Sequence, residues 1–458
     1  MAEHRLSLAV NGRESLLHQK LPTYRAADRA GAGQQNGRQE SAGSIAIVGL
    51  GYVGLPTAVA LHGAARRIIG IDLSEQRLRD ILAQEADLGG PDRDRLAAAL
   101  ADGSLELTTD PAAAKAADGV IICVPTPVDR QQSPDLSALR AACGTVVRHT
   151  RPGQLIVLTS TSYVGTTRDL LTEPLAARGL VAGADVHVAF SPERIDPGNP
   201  DHVQRETPRV VGGATPACTS RAAELIGRLT DAVYLVSSTD AAEATKLYEN
   251  IFRAVSLALA NEFADACGAL SLDPIEVTLA ASTKPYGFLG AFPGPGVGGH
   301  CIPCDPHYLL WQLNAADQRA PLIEQAMKSI ALRPERVIQR AAEVLAADGR
   351  RLAGARVIVL GASYKAGVRD LRESPALAIM AGLLREGASV GYYDPLLPAI
   401  ELPGGQVLAS EAAPDGADWD LAVAHTLHPR TDYSWANSCP RVLDGTYQFF
   451  GAAHRAVV

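Results

Sequence analysis

The chain has 458 residues, 47% of them hydrophobic and 20% charged. It is long enough for about three packed units, and its composition lies outside that of disordered, collagen-like or disulfide-scaffold sequences. Forty-two Lys plus Arg against fifty Asp plus Glu leave a net charge of −8, which gives no electrostatic footprint for nucleic acid as a partner. Seven cysteines are few and odd in number, which favours a reducing cytoplasm over a secreted disulfide framework.

Residues 1–43 mix Arg, Gln, Gly and Glu with short apolar runs and lack a signal-peptide pattern, so a disordered tail is expected. The charge-free stretch 44–65 approaches membrane-spanning length, but Gly49, Gly51, Gly54, Pro56 and Gly63 interrupt it. It reads as strand, turn and helix, and no membrane span is expected. The β-branched run Ser44–Val48 leads into Gly49-Leu-Gly-Tyr-Val-Gly54, an apolar helix from Leu55 to Ala65 and a second strand, Ile68–Ile71. Further strand-like runs at Gly119–Val124, Leu155–Thr159 and Val186–Phe190, with Ala-rich segments between them, predict a parallel sheet covered on both faces. This unit spans 44–236.

From Ala241 to Cys267 there is no Gly or Pro. Thr239 and Asp240 are candidate N-caps and Gly268 is a stop signal, which predicts one long helix suited to a domain connector or a dimer seam. A helical block from Leu272 is interrupted by a Pro/Gly-rich loop at 286–306 and resumes from His307, completing a central region over 237–345. Strand, helix and strand then return at Arg356–Leu360, Ser374–Glu386 and Ser389–Tyr393, opening a second α/β unit over 353–458. The fold class is therefore α/β: two Rossmann-like, doubly wound parallel-sheet domains joined by a central helical domain.

Gly49-x-Gly51-x-x-Gly54 follows a strand and opens a helix, and Asp72 ends the next strand. The first glycine permits the tight turn, the second lets backbone approach a pyrophosphate and the third allows close helix-to-strand packing. Asp72 would accept from a ribose 2′-hydroxyl and repel a 2′-phosphate, so NAD is the expected cofactor. A glycine turn without a ligand is the competing reading. The loop Phe292-Pro-Gly-Pro-Gly-Val-Gly-Gly-His-Cys301-Ile-Pro-Cys-Asp305 lets backbone lie against a ligand, and Cys301 is the candidate nucleophile toward an aldehyde. Cys301-x-x-Cys304 is alternatively a redox dithiol or half a zinc site; no metal is expected. The other five cysteines read as small core residues. Lys246 and Asn250 share one helix face, with Arg253 continuing it; a solvated face is the bland alternative. Glu193 follows a strand, where ligand crevices form, or else makes a loop salt bridge. Thr161 in Ser160-Thr-Ser162 is a candidate to hold a water or a substrate hydroxyl, or else belongs to a helix cap.

Taken in order, the glycine fingerprint, Cys123-Val-Pro-Thr-Pro127, Ser160-Thr-Ser-Tyr-Val-Gly-Thr-Thr167, Ser191-Pro-Glu-Arg194, Lys246-x-x-x-Asn250, Gly298-Gly-His-Cys301-Ile-Pro-x-Asp305 and Ser363-Tyr-Lys365 to Arg372-Glu-Ser-Pro375 resemble the UDP-glucose/GDP-mannose dehydrogenase family over about residues 44–450. The Gly-Gly-His-Cys form and the Pro-Gly-Pro-Gly loop look most like UDP-N-acetylhexosamine dehydrogenases. The resemblance implies a four-electron oxidation of the C6 alcohol of a nucleotide-diphosphate hexose (UDP-glucose, UDP-N-acetylglucosamine or dTDP-glucose) to the acid. It assigns Lys246 and Asn250 to oxyanion stabilisation, Cys301 to a thiohemiacetal and then a thioester, and its hydrolysis to a water positioned by Thr161 with Glu193 or Asp305 assisting. It places Gly49, Gly51, Tyr52, Val53, Gly54, Asp72, Pro125, Thr126 and Arg372 at NAD, and Glu193, Arg194, Lys246, Asn250, Arg253, Phe288, Gly296 and Lys365 at the substrate. It also implies a homodimer through the central domain. Two departures stand out: Cys304 occupies a position that is aliphatic in relatives, and Asp444-Gly-Thr446 replaces Asp-x-Arg. The rival classes are a catalytically silent NAD-binding protein and a dithiol redox protein.

Overall fold

In a computed structural model the described residues are 23–25, 42–86, 88–129, 131–195, 204–412, 414–449, 452 and 454–458. Of the segment expected to be a disordered tail, Thr23–Arg25 is instead a strand, β1; the remainder up to residue 41 lies outside the described residues. The chain forms two compact units, one built on residues 18–249 with 307–317 and the other on 250–306 with 318–458.

The first unit holds a nine-stranded sheet: β1, β2 (Ala42–Val48), β3 (Ala65–Ile71), β4 (Leu105–Thr108), β5 (Gly119–Ile122), β6 (Leu155–Leu158), β7 (His187–Phe190), β8 (Arg209–Gly213) and β9 (Ala232–Leu235). Its order is β1-β9-β8-β7-β6-β5-β2-β3-β4. Read from β4 to β7 this is the 3-2-1-4-5-6 order of a dinucleotide-binding sheet, with its switch point between β2 and β5. Ile45, Ile47, Val120, Ile121, Ile156 and Val157 are buried, as expected for strands covered on both faces. The sheet is not purely parallel: β8 runs antiparallel to β7, and β1 antiparallel to β9. The helix expected at 55–65 spans only Gly54–Ala60, because Gly63 turns the chain at φ +77° and β3 begins at Ala65.

The long helix runs Thr239–Ala269, 31 residues, or roughly 46 Å at 1.5 Å per residue. The Ser238 hydroxyl, not Thr239 or Asp240, caps it by accepting from the Ala241 amide at 3.1 Å. Gly268 lies within its last turn, and Ser271 takes the left-handed conformation that ends it, at φ +59°. Glu243 on this helix is 1% exposed and accepts from the Gly165 amide at 2.6 Å, the Thr167 amide at 2.8 Å and the Thr167 hydroxyl at 2.6 Å. One buried carboxylate thus ties the helix to the turn after β6.

The second unit carries the rest of the long helix, the helices Pro274–Ser282 and Pro321–Ala346, and a five-stranded sheet. The helical run expected from His307 onward is two helices, Asp305–Ala315 and Pro321–Ala346, broken where Asp317 takes φ +54°. The sheet is wholly parallel in the order β11 (Ser389–Tyr393), β10 (Arg356–Leu360), β14 (Leu421–Ala424), β15 (Val442–Asp444) and β16 (Arg455–Val457), with a small hairpin of β12 (Ala399–Glu401) and β13 (Val407–Ala409) beside it. This is the 2-1-3-4-5 doubly wound order.

Burial pushes the Glu243 carboxyl up to about 7, against the pull of its three hydrogen bonds, and nearby Asp240 adds to the push. Its value in the unfolded chain is roughly 4.3. A folded value above the unfolded one contributes stability that is complete below the unfolded value and lost as pH rises through the folded one. Glu243→Gln cannot ionise, so denaturant titrations from about pH 5 to about pH 8 are expected to show the wild type losing stability relative to the variant as pH rises. A constant difference would show that Glu243 does not titrate in this range.

Candidate active site

At the switch point of the first unit, Gly49 leaves β2 at φ +89°, and a Cβ there would stand 2.8 Å from the Cys123 carbonyl oxygen at the end of β5. A Cβ on Gly54 would stand 1.7 Å from the Gly49 oxygen, so this glycine is required for closure of the turn, whereas a Cβ on Gly51 would meet nothing within 4 Å. Gly51 faces open space, as expected where backbone approaches a pyrophosphate. Asp72 accepts from the Leu50 amide at 2.8 Å and the Ser74 amide at 2.9 Å. It therefore sets the glycine turn as well as ending β3, and its remaining lone pairs are available to a ribose. No side chain caps the helix at Val53, and Tyr52 is 42% exposed. Across the switch point lie exposed Pro125 and buried Thr126. Ser162 Oγ and Ser191 Oγ, after β6 and β7, are buried without hydrogen-bond partners among the described residues. Together the turn, the acid and the unpartnered hydroxyls fit a dinucleotide.

Beyond β7, Glu193 is 8% exposed and paired through its carboxylate with Arg209, itself 2% exposed, at 2.6 Å. The salt-bridge alternative describes the contact of this carboxylate. The Glu193 backbone carbonyl, not its side chain, meets Lys246, accepting from Nζ at 2.9 Å. Arg194 is tied to Glu249 and to the Pro208 carbonyl, and its guanidinium is engaged by the protein. Thr161 is half-buried on the same segment as the Glu243 anchor. Sequence reasoning missed Arg209 and Glu243. Arg209 opens a strand that ends in Gly-Gly, and only the i, i+3 spacing of Glu243 to Lys246 pointed to a shared face.

In the second unit, Asn250 Nδ2 donates to Asp305 Oδ2 at 2.5 Å, and both residues are buried. Cys301 is exposed, and its carbonyl accepts from the Asp305 amide at 2.8 Å. The candidate nucleophile and the carboxylate that grips Asn250 therefore share one turn at the start of the helix Asp305–Ala315. Arg253 is exposed farther along the long helix, and Phe288 is 39% exposed. The loop glycines lie against protein: a Cβ on Gly296 would stand 2.6 Å from Pro375, on Gly298 2.7 Å from the Glu373 carbonyl and on Gly299 2.8 Å from Tyr364. The Gly299 amide donates to the Arg372 carbonyl at 3.0 Å. Arg372 chelates Asp370 through Nε and an η nitrogen, the latter at 2.7 Å, and Lys365 is half-buried nearby in sequence. Asn261 accepts from the Gly294 amide at 2.9 Å, while Arg333, 3% exposed, donates to the Gly294 carbonyl at 3.0 Å and to Asp265 at 2.9 Å. This clamp on the Pro-Gly-Pro segment was not legible in the sequence. Asp444 is fully buried and pairs with Arg455 at 2.8 Å.

Burial pushes the thiols of Cys123 and Cys143 up to about 12 and that of Cys439 up to about 11. Cys218 and Cys267 are also buried. Among the described residues no group of three or more His, Cys, Asp or Glu could hold a metal ion, and no helix is long and apolar enough to cross a membrane.

The glycines separate fold from binding. Gly54→Ala is expected to lower the melting temperature by ~5 °C or more. Gly51→Ala is expected to hold it within ~2 °C while weakening NAD binding on the order of tenfold, measured by calorimetry. Unchanged NAD affinity in Gly51→Ala would show that the open face of this turn is not where the pyrophosphate sits.

Residues 43–230 match the NAD-binding domain of the UDP-glucose/GDP-mannose dehydrogenase family, 240–329 its central domain and 358–449 its UDP-binding domain. An NDP-N-acetyl-D-galactosaminuronic acid dehydrogenase of Ralstonia nicotianae is 36% identical over 390 residues, covering 82% of this chain and 89% of the relative. A UDP-N-acetyl-D-mannosamine dehydrogenase of Escherichia coli is 34% identical over 351 residues, covering 73% of this chain and 81% of the relative. A solved UDP-D-ManNAc dehydrogenase of Pyrococcus horikoshii aligns with a TM-score of 0.82 at 30% identity, over 90% of this chain and 98% of that one. The chain therefore belongs to the UDP-glucose/GDP-mannose dehydrogenase family and is an NAD-dependent nucleotide-sugar dehydrogenase.

Proposed function

We propose that the enzyme oxidises the C6 alcohol of a UDP-linked N-acetylhexosamine to the carboxylate through covalent attachment to Cys301. The observation that carries this reading is the shared turn of Cys301 and Asp305, with Asp305 holding Asn250 at 2.5 Å. The N-acetyl specificity is supported by the named relatives and by the Gly-Gly-His-Cys and Pro-Gly-Pro-Gly forms of the loop.

Bound NAD supplies the hydride acceptor for both oxidations. The Lys246 ammonium, set by the Glu193 carbonyl, and Asn250, set by Asp305, stabilise negative charge on the C6 oxygen; removing one such donor typically costs about 3 to 4 kcal/mol of transition-state stabilisation. Exposed Cys301 adds to the aldehyde as thiolate, giving a thiohemiacetal and, after the second oxidation, a thioester. Thr161 positions the hydrolytic water and Asp305 assists it. The Glu193 carboxylate, engaged by Arg209, orients the carbonyl that holds Lys246 and contributes to hydrolysis through that positioning. Arg253, Phe288, Gly296 and Lys365 belong to the sugar-nucleotide side, and Arg372 to the cofactor side. Thiol catalysis and seven cysteines without a disulfide favour the cytoplasm as the compartment.

The long helix also presents Tyr248 (70% exposed), Phe252 (45%), Leu259 (66%) and Phe263 (43%) to solvent. They form two pairs eleven residues apart, a 3.67-residue period that keeps them in one straight stripe. We read this stripe as the seam of a homodimer. Sedimentation is expected to give twice the 48.0 kDa chain mass for the wild type and the single chain mass for Leu259→Asp/Phe263→Asp; a dimeric double variant would place the seam elsewhere.

With UDP-N-acetylmannosamine or UDP-N-acetylgalactosamine, the enzyme is expected to form two NADH per sugar oxidised. Cys301→Ala is expected to abolish sustained acid formation while retaining substrate binding. One NADH per sugar, or undiminished turnover in the variant, would remove the covalent route. Preference for UDP-glucose would overturn the N-acetyl assignment alone.

A further inference from the structure

Cys301-Ile-Pro-Cys304 has a second cysteine that the dehydrogenase chemistry does not use. Cys301 is exposed, whereas Cys304, three residues on, is 3% exposed. The Cys304 amide donates to the Cys301 carbonyl at 3.3 Å and the Asp305 amide to the same oxygen at 2.8 Å, so the four residues form a closed turn leading into the helix Asp305–Ala315. A turn closed between residues i and i+3 brings their Cα atoms within about 7 Å, and disulfides span roughly 4.4 to 6.8 Å between Cα atoms. Pro303 restricts the backbone within that turn. The other five cysteines are buried, and three of them have thiols pushed up to about 11 or 12, so oxidant reaching the folded protein is directed to Cys301.

We propose that Cys304 is a resolving thiol for Cys301, closing an intramolecular disulfide under peroxide that withdraws the nucleophile reversibly. The Cys301 thiolate attacks one oxygen of hydrogen peroxide; an S–O bond forms, the O–O bond breaks, and hydroxide leaves and takes up a proton to become water. The Cys304 sulfur then attacks the Cys301 sulfenic acid; the S–S bond forms, the S–O bond breaks, and the departing hydroxide combines with the Cys304 proton as a second water. Two thiols are oxidised, and one peroxide is reduced by the same two electrons. A dithiol reductant restores both thiols by exchange. Loss of activity on closure rests on Cys301 being the nucleophile proposed above; formation of the disulfide does not.

The test exposes the full-length enzyme to hydrogen peroxide, then follows peptide mass, thiol alkylation and turnover, before and after dithiothreitol. The expected wild-type result is a 301–304 peptide about 2 Da lighter, with neither thiol alkylated, and activity that is lost and then fully regained on reduction. Cys304→Ala, with Cys304→Ser as a second variant should the first fold poorly, is expected to keep basal turnover but to lose it irreversibly under peroxide, with the peptide about 32 Da heavier from Cys301 sulfinic acid. Wild-type peptide carrying that sulfinic acid in place of the disulfide, or full recovery of the Cys304 variants on reduction, would overturn the proposal. Closure of the disulfide with turnover unchanged would support the modification site and overturn Cys301 as the nucleophile.

Discussion

In the reaction proposed above, the polar stripe Glu243, Lys246 and Asn250 on the long helix would be the constraint on which the geometry depends. Each side chain is fixed by a different element: Glu243 by the Gly165–Thr167 turn, Lys246 by the Glu193 carbonyl and Asn250 by Asp305. Because the helix is continuous from Thr239 to Ala269, its 1.5 Å rise sets the spacing of an ammonium and an amide that would address one oxygen. A displaced anchor would move a donor relative to the developing charge, and electrostatic stabilisation in such sites depends on donors being placed before the charge appears.

Much of this architecture could be read from the sequence. Strands buried on both faces form continuous apolar runs, which is why β2, β5, β6 and β10 stood out. The glycine fingerprint had strand and helix on either side of it. Leu105–Thr108, Arg209–Gly213 and Ala232–Leu235 were illegible: one carries a charge within four residues, one starts with Arg and ends in Gly-Gly, and one is only partly buried. In the site, Lys246 and Asn250 could be paired because helical periodicity is local. Arg209 and Arg333 could not be found in this way, because their partners Glu193, Asp265 and Gly294 lie 16, 68 and 39 residues away. The glycine loop was read as a cradle for ligand, yet Tyr364, Glu373 and Pro375 fill the space at three of its glycines. Composition reports that backbone is approached closely, but not by what.

The two Rossmann-like units use the same device to opposite ends. In each, the acid after the second strand accepts from the amide that follows the first glycine: Asp72 from Leu50 at 2.8 Å and Asp394 from Ala362 at 2.8 Å. Asp72 stays partly open. Asp394 is 2% exposed and also accepts from the Ser363 amide and hydroxyl, from Leu396 and from His428 Nε2 at 3.0 Å. Burial pushes its carboxyl up, but the His428 contact and the amides outweigh that and hold it at about 2. Four of these five contacts crowd Oδ2, and burial closes the carboxylate to a ribose. The second unit therefore keeps the dinucleotide fold while its acid serves packing. The match of residues 358–449 to the family's UDP-binding domain therefore has to rest on groups other than this acid.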